Sequence, residues 1–275
     1  MPRNVTLATA QPLRRKESEP PMTVEENLAG ALELLERAPA GADVVCFPET
    51  FSVACIEREK TRPYAENSAH TPRFLEVLGK AAAKRDFCLV LGLPWENRNC
   101  AFFLDRKGRE VGRYDKTHLT LGERERPLTA GSDLNVVEMD FGRVGALICY
   151  DLYFPEAARV LALRGAEVVF HPTRINNAPS EKAFEALCAA RAAENVCWLV
   201  TSSFCAAPPF GYDGWMARSL VMSPYGFVRA EVGKEPGVCA ATVDLDLRTR
   251  RPDGFLWETF RRLRRPELYQ RLSER

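Results

Sequence analysis

The sequence predicts a layered α/β domain whose helices cover the faces of mixed sheets. Three observations carry that prediction. Apolar runs of strand length alternate with segments of helical period. Two hairpin signals interrupt the alternation. No internal repeat, low-complexity segment or linker divides the 275 residues. A chain of this length can bury a sizeable core. The expectation is therefore one domain over residues 1–275, with a basic tail from about residue 247.

The elements follow in order. NVTLATAQ reads as a strand. Thr23 followed by Glu26 forms a capping box, and Val24, Leu28, Ala31, Leu32 and Leu35 then share one helical face. Gly41 closes that unit, and DVVCFPE is a short buried strand. Thr71 with Pro72 at the first helical position starts a helix that turns Phe74, Leu75, Leu78 and Ala82 inward. FCLVLGLPW is the next strand. NCAFFLDRKGREVGRYDKTHL then reads as two strands about a turn at Gly108, and NVVEMDFGRVGALICY as a hairpin turning at Asp140 to Arg143. A helix spans about Pro155 to Leu163, and AEVVFHPT is a strand. Ser180 caps a helix carrying Phe184, Leu187, Cys188 and Arg191. VCWLVTSS, MARSLVMSP and VCAATVDLD are further strands.

Composition excludes several functions. A net charge of +1 gives no global attraction to nucleic acid or to a membrane surface. No apolar run reaches spanning length, and the N-terminus lacks the apolar core of a signal peptide. Nine cysteines stand at irregular spacing, several inside apolar strands, and most of them read as reduced core thiols in a cytoplasmic protein. With three histidines and no Cys-x-x-Cys, a zinc or iron–sulfur site is not expected. Neither a phosphate-binding Gly-rich loop nor a His-Glu-x-x-His pair occurs. The tail FRRLRRPELYQRLSER is basic, but Glu267 and Glu274 interrupt it. It reads as a solvated helix or subunit contact rather than a nucleic-acid surface.

Three polar groups stand at the ends of apolar strands: Glu49 after VVCFP, Lys116 after GRYD, and Cys149 after GALI. Ligands gather outside strand ends in open α/β sheets. If these ends converge, a carboxylate, an ammonium and a thiol share one pocket. That set suffices to attack a carbonyl-type carbon. The turn after Cys149 would aim both its sulfur and the Tyr150 N–H at one point, where an oxyanion forms. Taken singly, each residue has a plainer reading: core thiol, loop acid, surface cation. His118 and His171 also lie near strand ends and could line the pocket, although structural hydrogen bonding is the commoner fate of such histidines.

Taken together, DVVCFPET, GRYDKTHL and GRVGALICYDLYFPEAARVLALRGAEVV resemble the nitrilase superfamily of carbon–nitrogen hydrolases. AARAAENVCWLVTSS, SLVMSPYGFV and RRPELY resemble later landmarks of that family, so the likeness spans nearly the whole chain in order. The resemblance implies a four-layer α/β/β/α sandwich, a homodimer or higher homo-oligomer, and a thioester intermediate without metal or organic cofactor. It implies Glu49 as general base, Lys116 as oxyanion stabiliser and Cys149 as nucleophile. It also implies a second glutamate after the lysine. THLTLGERERPLTAG offers Glu123 and Glu125, and the GER context favours Glu123.

The same resemblance bears on the substrate. CYD is similar to the amidase and carbamoylase branches rather than to true nitrilases. Leu152 and Tyr153 stand where branches acting on N-carbamoyl amino acids tend to carry arginines, which weakens the case for an acidic substrate, although Arg174 could supply a cation. Phe51, Tyr150, Tyr153 and Thr173 are the expected substrate-binding residues. Departures in TSSF and at Ala217 are expected to alter pocket shape. The expected function is hydrolysis of a small amide or N-carbamoyl compound. A nitrile-hydrolysing enzyme and a non-catalytic binding protein are the alternatives.

Overall fold

The computed structural model describes residues 3–13, 20–54, 64–174, 180–205, 218–250 and 257–273. In chain order the strands are β1 (Asn4–Gln11), β2 (Val44–Cys46), β3 (Cys88–Trp95), β4 (Arg98–Leu104), β5 (Glu110–Asp115) and β6 (Val136–Met139). They continue as β7 (Gly142–Ala146), β8 (Val168–Pro172), β9 (Trp198–Ser202), β10 (Leu220–Met222), β11 (Val228–Glu231) and β12 (Gly237–Asp244). One sheet has the order β12-β1-β2-β3-β4-β5 and the other β11-β10-β9-β8-β7-β6. Each has a parallel centre, β1-β2-β3 and β7-β8-β9, with antiparallel strands on either side.

The two sheets face each other across a shared core. Side chains alternate along each strand, so successive residues feed different layers. Val5 and Leu7 of β1, Val44 and Cys46 of β2, and Cys88 and Val90 of β3 point inward, against Val168 and Phe170 of β8 and Trp198 and Val200 of β9. Ala8, Val45 and Leu89, each next to an inward-facing residue, point outward beneath α1 (Val24–Arg37) and α3 (Thr71–Ala83), with α2 (Tyr64–Ser68) between those helices in the chain. On the far side, α5 (Pro155–Leu163) and α6 (Glu181–Asn195) cover Val169 and Leu199, after the short α4 (Leu121–Arg124). This is a four-layer α/β/β/α sandwich. Both faces of every central strand are covered, which explains the near-continuous apolar runs. Buried hydroxyls add ties between sheets: Thr9 Oγ1 donates to Thr201 O and Ser202 Oγ to Ala10 O, each at 2.7 Å. Two residues of TSSF therefore serve the sheet-to-sheet contact.

Local expectations held where a local signal set the structure. The Thr23–Glu26 capping box is present, and Ser180 accepts from Ala183 N. Leu34 rather than Leu32 is fully buried on α1, while Leu75 and Leu187 sit half-buried at the rims of their helices. β11 was not expected. Its residues are alternately half-exposed and exposed, and pairing with β10 rather than apolar character makes it a strand. Among the described residues of MARSLVMSP, Leu220–Met222 form a strand, and Met216 and Ala217 lie outside the described residues.

The tail contributes α7 (Leu247–Arg250) and α8 (Trp257–Arg262). Trp257 is buried against Ala162 and Val196, with the Arg248 guanidinium 4.5 Å from its ring. Leu263, Leu268 and Leu272 beyond it are exposed.

Candidate active site

The carboxyl ends of β2, β5, β7 and β8 bring the candidate residues together. After β2 the chain passes close to β3, and Gly92 makes room for it. A Cβ there would lie 2.3 Å from Pro48 O and 2.8 Å from the Glu49 Cα. Glu49 is thereby turned into the protein, 5% exposed. Lys116 follows β5. Its backbone N–H donates to Asn99 O and its carbonyl accepts from Gly131 N, both at 2.8 Å.

The Lys116 Nζ lies 2.9 Å from Glu49 Oε1, 2.8 Å from Glu123 Oε1 and 2.9 Å from Glu123 Oε2. Burial alone would drive this ammonium's pKa down. The charge of Glu49, the neighbouring Cys149 and the charge of Glu123 overcome it and hold Lys116 well above its ordinary value. Burial would likewise raise Glu123, but Lys116 outweighs it and the carboxyl titrates below its ordinary value.

Glu123 rather than Glu125 meets the lysine, and the reason is local. Thr120 caps α4, its Oγ1 accepting from Glu123 N at 3.2 Å, while Glu123 Oε2 accepts from Thr120 N at 2.9 Å. The Thr-x-x-Glu spacing was the signal that separates the two acids. Glu123→Gln is expected to cut turnover by about 10²-fold, the scale of losing one preorganised electrostatic contact, whereas Glu125→Gln leaves it unchanged. The pH dependence has a definite sign. A depressed carboxyl adds stability above its unfolded pKa and loses it as pH falls through the folded value. The Gln variant therefore loses less stability than the parent on acidification, as read by denaturant titration at pH 7 and pH 4.

Asn99, which the sequence reading missed, joins the group from β4. Its Nδ2 donates to Glu49 Oε1 at 2.6 Å and contacts Glu123 Oε1 at 3.3 Å. No local motif marks it, because its role comes from strand pairing that sets it beside Glu49.

Cys149 ends the apolar run at a sharp turn. Its φ is +49°, a left-handed conformation that costs a non-glycine residue about 1–2 kcal/mol. The turn is secured by Asp151, which is fully buried. Its Oδ2 accepts from Ile148 N and Tyr114 Oη, both at 2.8 Å. Its Oδ1 accepts from His118 N at 2.9 Å and from Thr117 Oγ1 at 3.2 Å, and lies 2.8 Å from His118 Nδ1. One carboxylate thus fastens the Cys149 turn to the segment that carries Lys116. Arg191, from α6, adds a 2.9 Å bond to Leu152 O.

Burial and the nearby Glu49 charge push the Cys149 thiol up to about 12, while Lys116, the Arg174 N–H and the Thr173 hydroxyl pull the other way. The resting group is therefore a thiol, and attack requires a base beside it. His171 donates from Nε2 to Cys149 O at 3.1 Å. Burial pushes its imidazole down to about 4, so the ring is neutral at neutral pH.

The expected substrate-binding residues separate. Thr173 is buried, and its hydroxyl is among the groups that lower the Cys149 thiol. Tyr150 and Tyr153 are exposed, with ring centroids 5.6 Å apart, beside Phe154, which stacks on His118 at 3.9 Å. Phe51 is corrected to a core position: it is 2% exposed and packs on Phe47 and Phe74, because the short 3₁₀ turn Phe51–Val53 folds it beneath α1 and α3. Among the described residues no group of three His, Cys, Asp or Glu side chains is arranged to hold a metal ion.

Comparison with solved structures places the architecture. An amidase from Nesterenkonia sp. matches with a TM-score of 0.78 and 26% identity, over 98% of this chain and 96% of that one. That amidase is of the nitrilase superfamily, and the shared layers place the present protein among the hydrolases of that superfamily. Sequence relatives agree. The deaminated glutathione amidase of Bos taurus is 29% identical over 273 residues, covering 90% of this chain and 80% of the relative. A Pseudomonas protegens protein named "Hydrolase in pqqF 5'region" is 35% identical over 273 residues, covering 90% and 88%. The model of the carbon–nitrogen hydrolase family matches residues 5–252, and the chain belongs to that family. Its chemistry is hydrolysis of an amide-type carbon–nitrogen bond.

Proposed function

We propose that the protein hydrolyses a small amide through a thioester on Cys149, with Glu49, Lys116 and Glu123 as its charged machinery. The observation that carries this reading is the buried clamp: Lys116 Nζ held within 2.9 Å of both glutamates, with the Cys149 thiol in the field of Glu49 and Lys116. Glu49 takes the thiol proton as Sγ attacks the carbonyl carbon, and the π pair moves onto oxygen. Lys116 and the Tyr150 N–H face that oxyanion. When the tetrahedral intermediate collapses, Glu49 returns the proton to nitrogen and ammonia or an amine leaves. Water, deprotonated by Glu49, then attacks the thioester carbonyl. The sulfur leaves, recovers a proton from Glu49, and the acid is released. Glu123 keeps Lys116 charged and fixed between two carboxylates.

Three wider features belong to the proposal. A core shared by both sheets supports one domain for the whole chain, with the tail from about residue 247 appended. Eight free cysteines among the described residues support a reducing, cytoplasmic setting. Exposed Leu263, Leu268 and Leu272 on the tail support contact with a second copy in a homodimer or larger homo-oligomer.

A panel of matched amide, N-carbamoyl amine and nitrile, read by ammonia release, tests the reading. The amide is expected to be turned over, and rapid quenching should trap its acyl mass on the peptide containing Cys149. Turnover of the nitrile alone, or turnover with no adduct at Cys149, would replace the proposal.

A further inference from the structure

We propose that His171 is a positioning residue: by holding the Cys149 carbonyl from behind, it aims the Tyr150 N–H at the developing oxyanion. The inference rests on the thioester reading above and assigns a part to a side chain that the reading does not use.

The peptide unit between residues 149 and 150 carries both the Cys149 carbonyl and the Tyr150 N–H. A trans peptide is planar, with its C=O and N–H pointing in opposite directions. Fixing one end therefore fixes the other. His171 Nε2 is 3.1 Å from Cys149 O and donates to it. The Tyr150 N–H then points away from His171. Tyr150 is the second residue of the 3₁₀ turn Cys149–Tyr153, and the first N–H groups of such a turn have no acceptor within it. Its donor is thus available to a reacting oxygen. Polarisation of the amide by the histidine bond also strengthens the opposite N–H as a donor.

The setting suits a rigid support. His171 is fully buried in β8, which pairs in parallel with β7 and β9. Phe184 of α6 lies against the ring, with centroids 6.2 Å apart. Because the carbonyl can only accept, the ring proton sits on Nε2. The left-handed backbone of Cys149 makes such a support necessary, since the preferred conformations of a non-glycine residue would carry the carbonyl elsewhere. Asp151 holds the turn through Ile148 N, one residue upstream, and leaves the carbonyl of Cys149 to His171.

The test compares His171→Met, which removes the donor, His171→Asn, whose amide is too short, and His171→Gln, whose Nε2 reaches about as far as the imidazole. Each is assayed for amide turnover and for alkylation of Cys149 by iodoacetamide, followed by mass on its own peptide. Alkylation displaces iodide from a methylene carbon and develops no charge on a carbonyl oxygen, so it reads the sulfur without the oxyanion. Removing an oxyanion donor costs about 10²–10³ in kcat, and misaiming one is expected to cost about 30-fold. Met and Asn should therefore lower kcat about 30-fold, with KM and the alkylation rate changed by less than about threefold, and Gln should restore kcat to within about fivefold of the parent. Should the Met variant fail to fold, Asn against Gln makes the same comparison. The inference is overturned if Asn or a folded Met variant keeps the parent's kcat, if alkylation falls in step with turnover, or if Gln is as slow as Asn. An unmodified protein inert to every amide sinks the hydrolase reading and this inference with it; an active one indifferent to His171 sinks the inference alone.

Discussion

Cys149→Ala is expected to leave a folded protein that releases no ammonia from any amide. The sulfur is the atom that bonds to the substrate carbon in the proposed thioester, and alanine has nothing to replace it. Loss of a covalent nucleophile typically lowers kcat by about 10⁴-fold or more. Folding should survive. Alanine retains the Cβ, and the turn keeps its Asp151 N bond to Ile148 O at 3.0 Å and its Asp151 Oδ2 bond from Ile148 N at 2.8 Å. Ammonia release and thermal unfolding, measured on the same preparation, check both halves. Full activity in a folded variant would end the covalent reading.

Lys116→Met should damage both stability and activity. In the parent, one ammonium sits between two carboxylates, and all three are largely out of water. Methionine fills similar space but leaves Glu49 and Glu123 facing each other without a cation. Breaking a buried ion pair from one side costs about 3–5 kcal/mol. Without the ammonium, burial and mutual repulsion raise the folded-state pKa of the carboxyl pair. A group raised on folding contributes its full stability below its unfolded pKa and loses it as pH rises through the folded value. The difference in unfolding free energy from the parent should therefore be largest at neutral pH and shrink toward pH 4. Denaturant titrations of both proteins at pH 7, 5.5 and 4 read this directly. A constant difference across that range would show that the glutamates do not depend on the lysine. Turnover is expected to fall beyond detection at every pH.

The fold was legible wherever a strand or helix announced itself locally. β1 could be read from its apolar run and the helix after Thr23 from its capping box. β11 could not, because Val228–Glu231 is half-exposed and becomes a strand only by pairing with β10. Phe51 is an expected substrate-binding residue, yet the turn after Glu49 folds it into the core. Thr120-x-x-Glu123 carried the evidence for the second glutamate in four adjacent residues.

What the sequence by itself determined is the set of strands and helices that local pattern governs, together with the identity of the groups at the strand ends: Glu49, Lys116 and Cys149. What only the tertiary structure decided is how those groups meet, and which others support them. Asn99 reaches Glu49 across the β3–β4 hairpin, Asp151 joins the Cys149 turn to the Lys116 segment, and His171 reaches the Cys149 carbonyl from the neighbouring strand. The physical reason is range. Side-chain periodicity and capping act over a few residues, whereas hydrogen bonds and charge act over a few ångströms between segments that the chain separates by tens of residues.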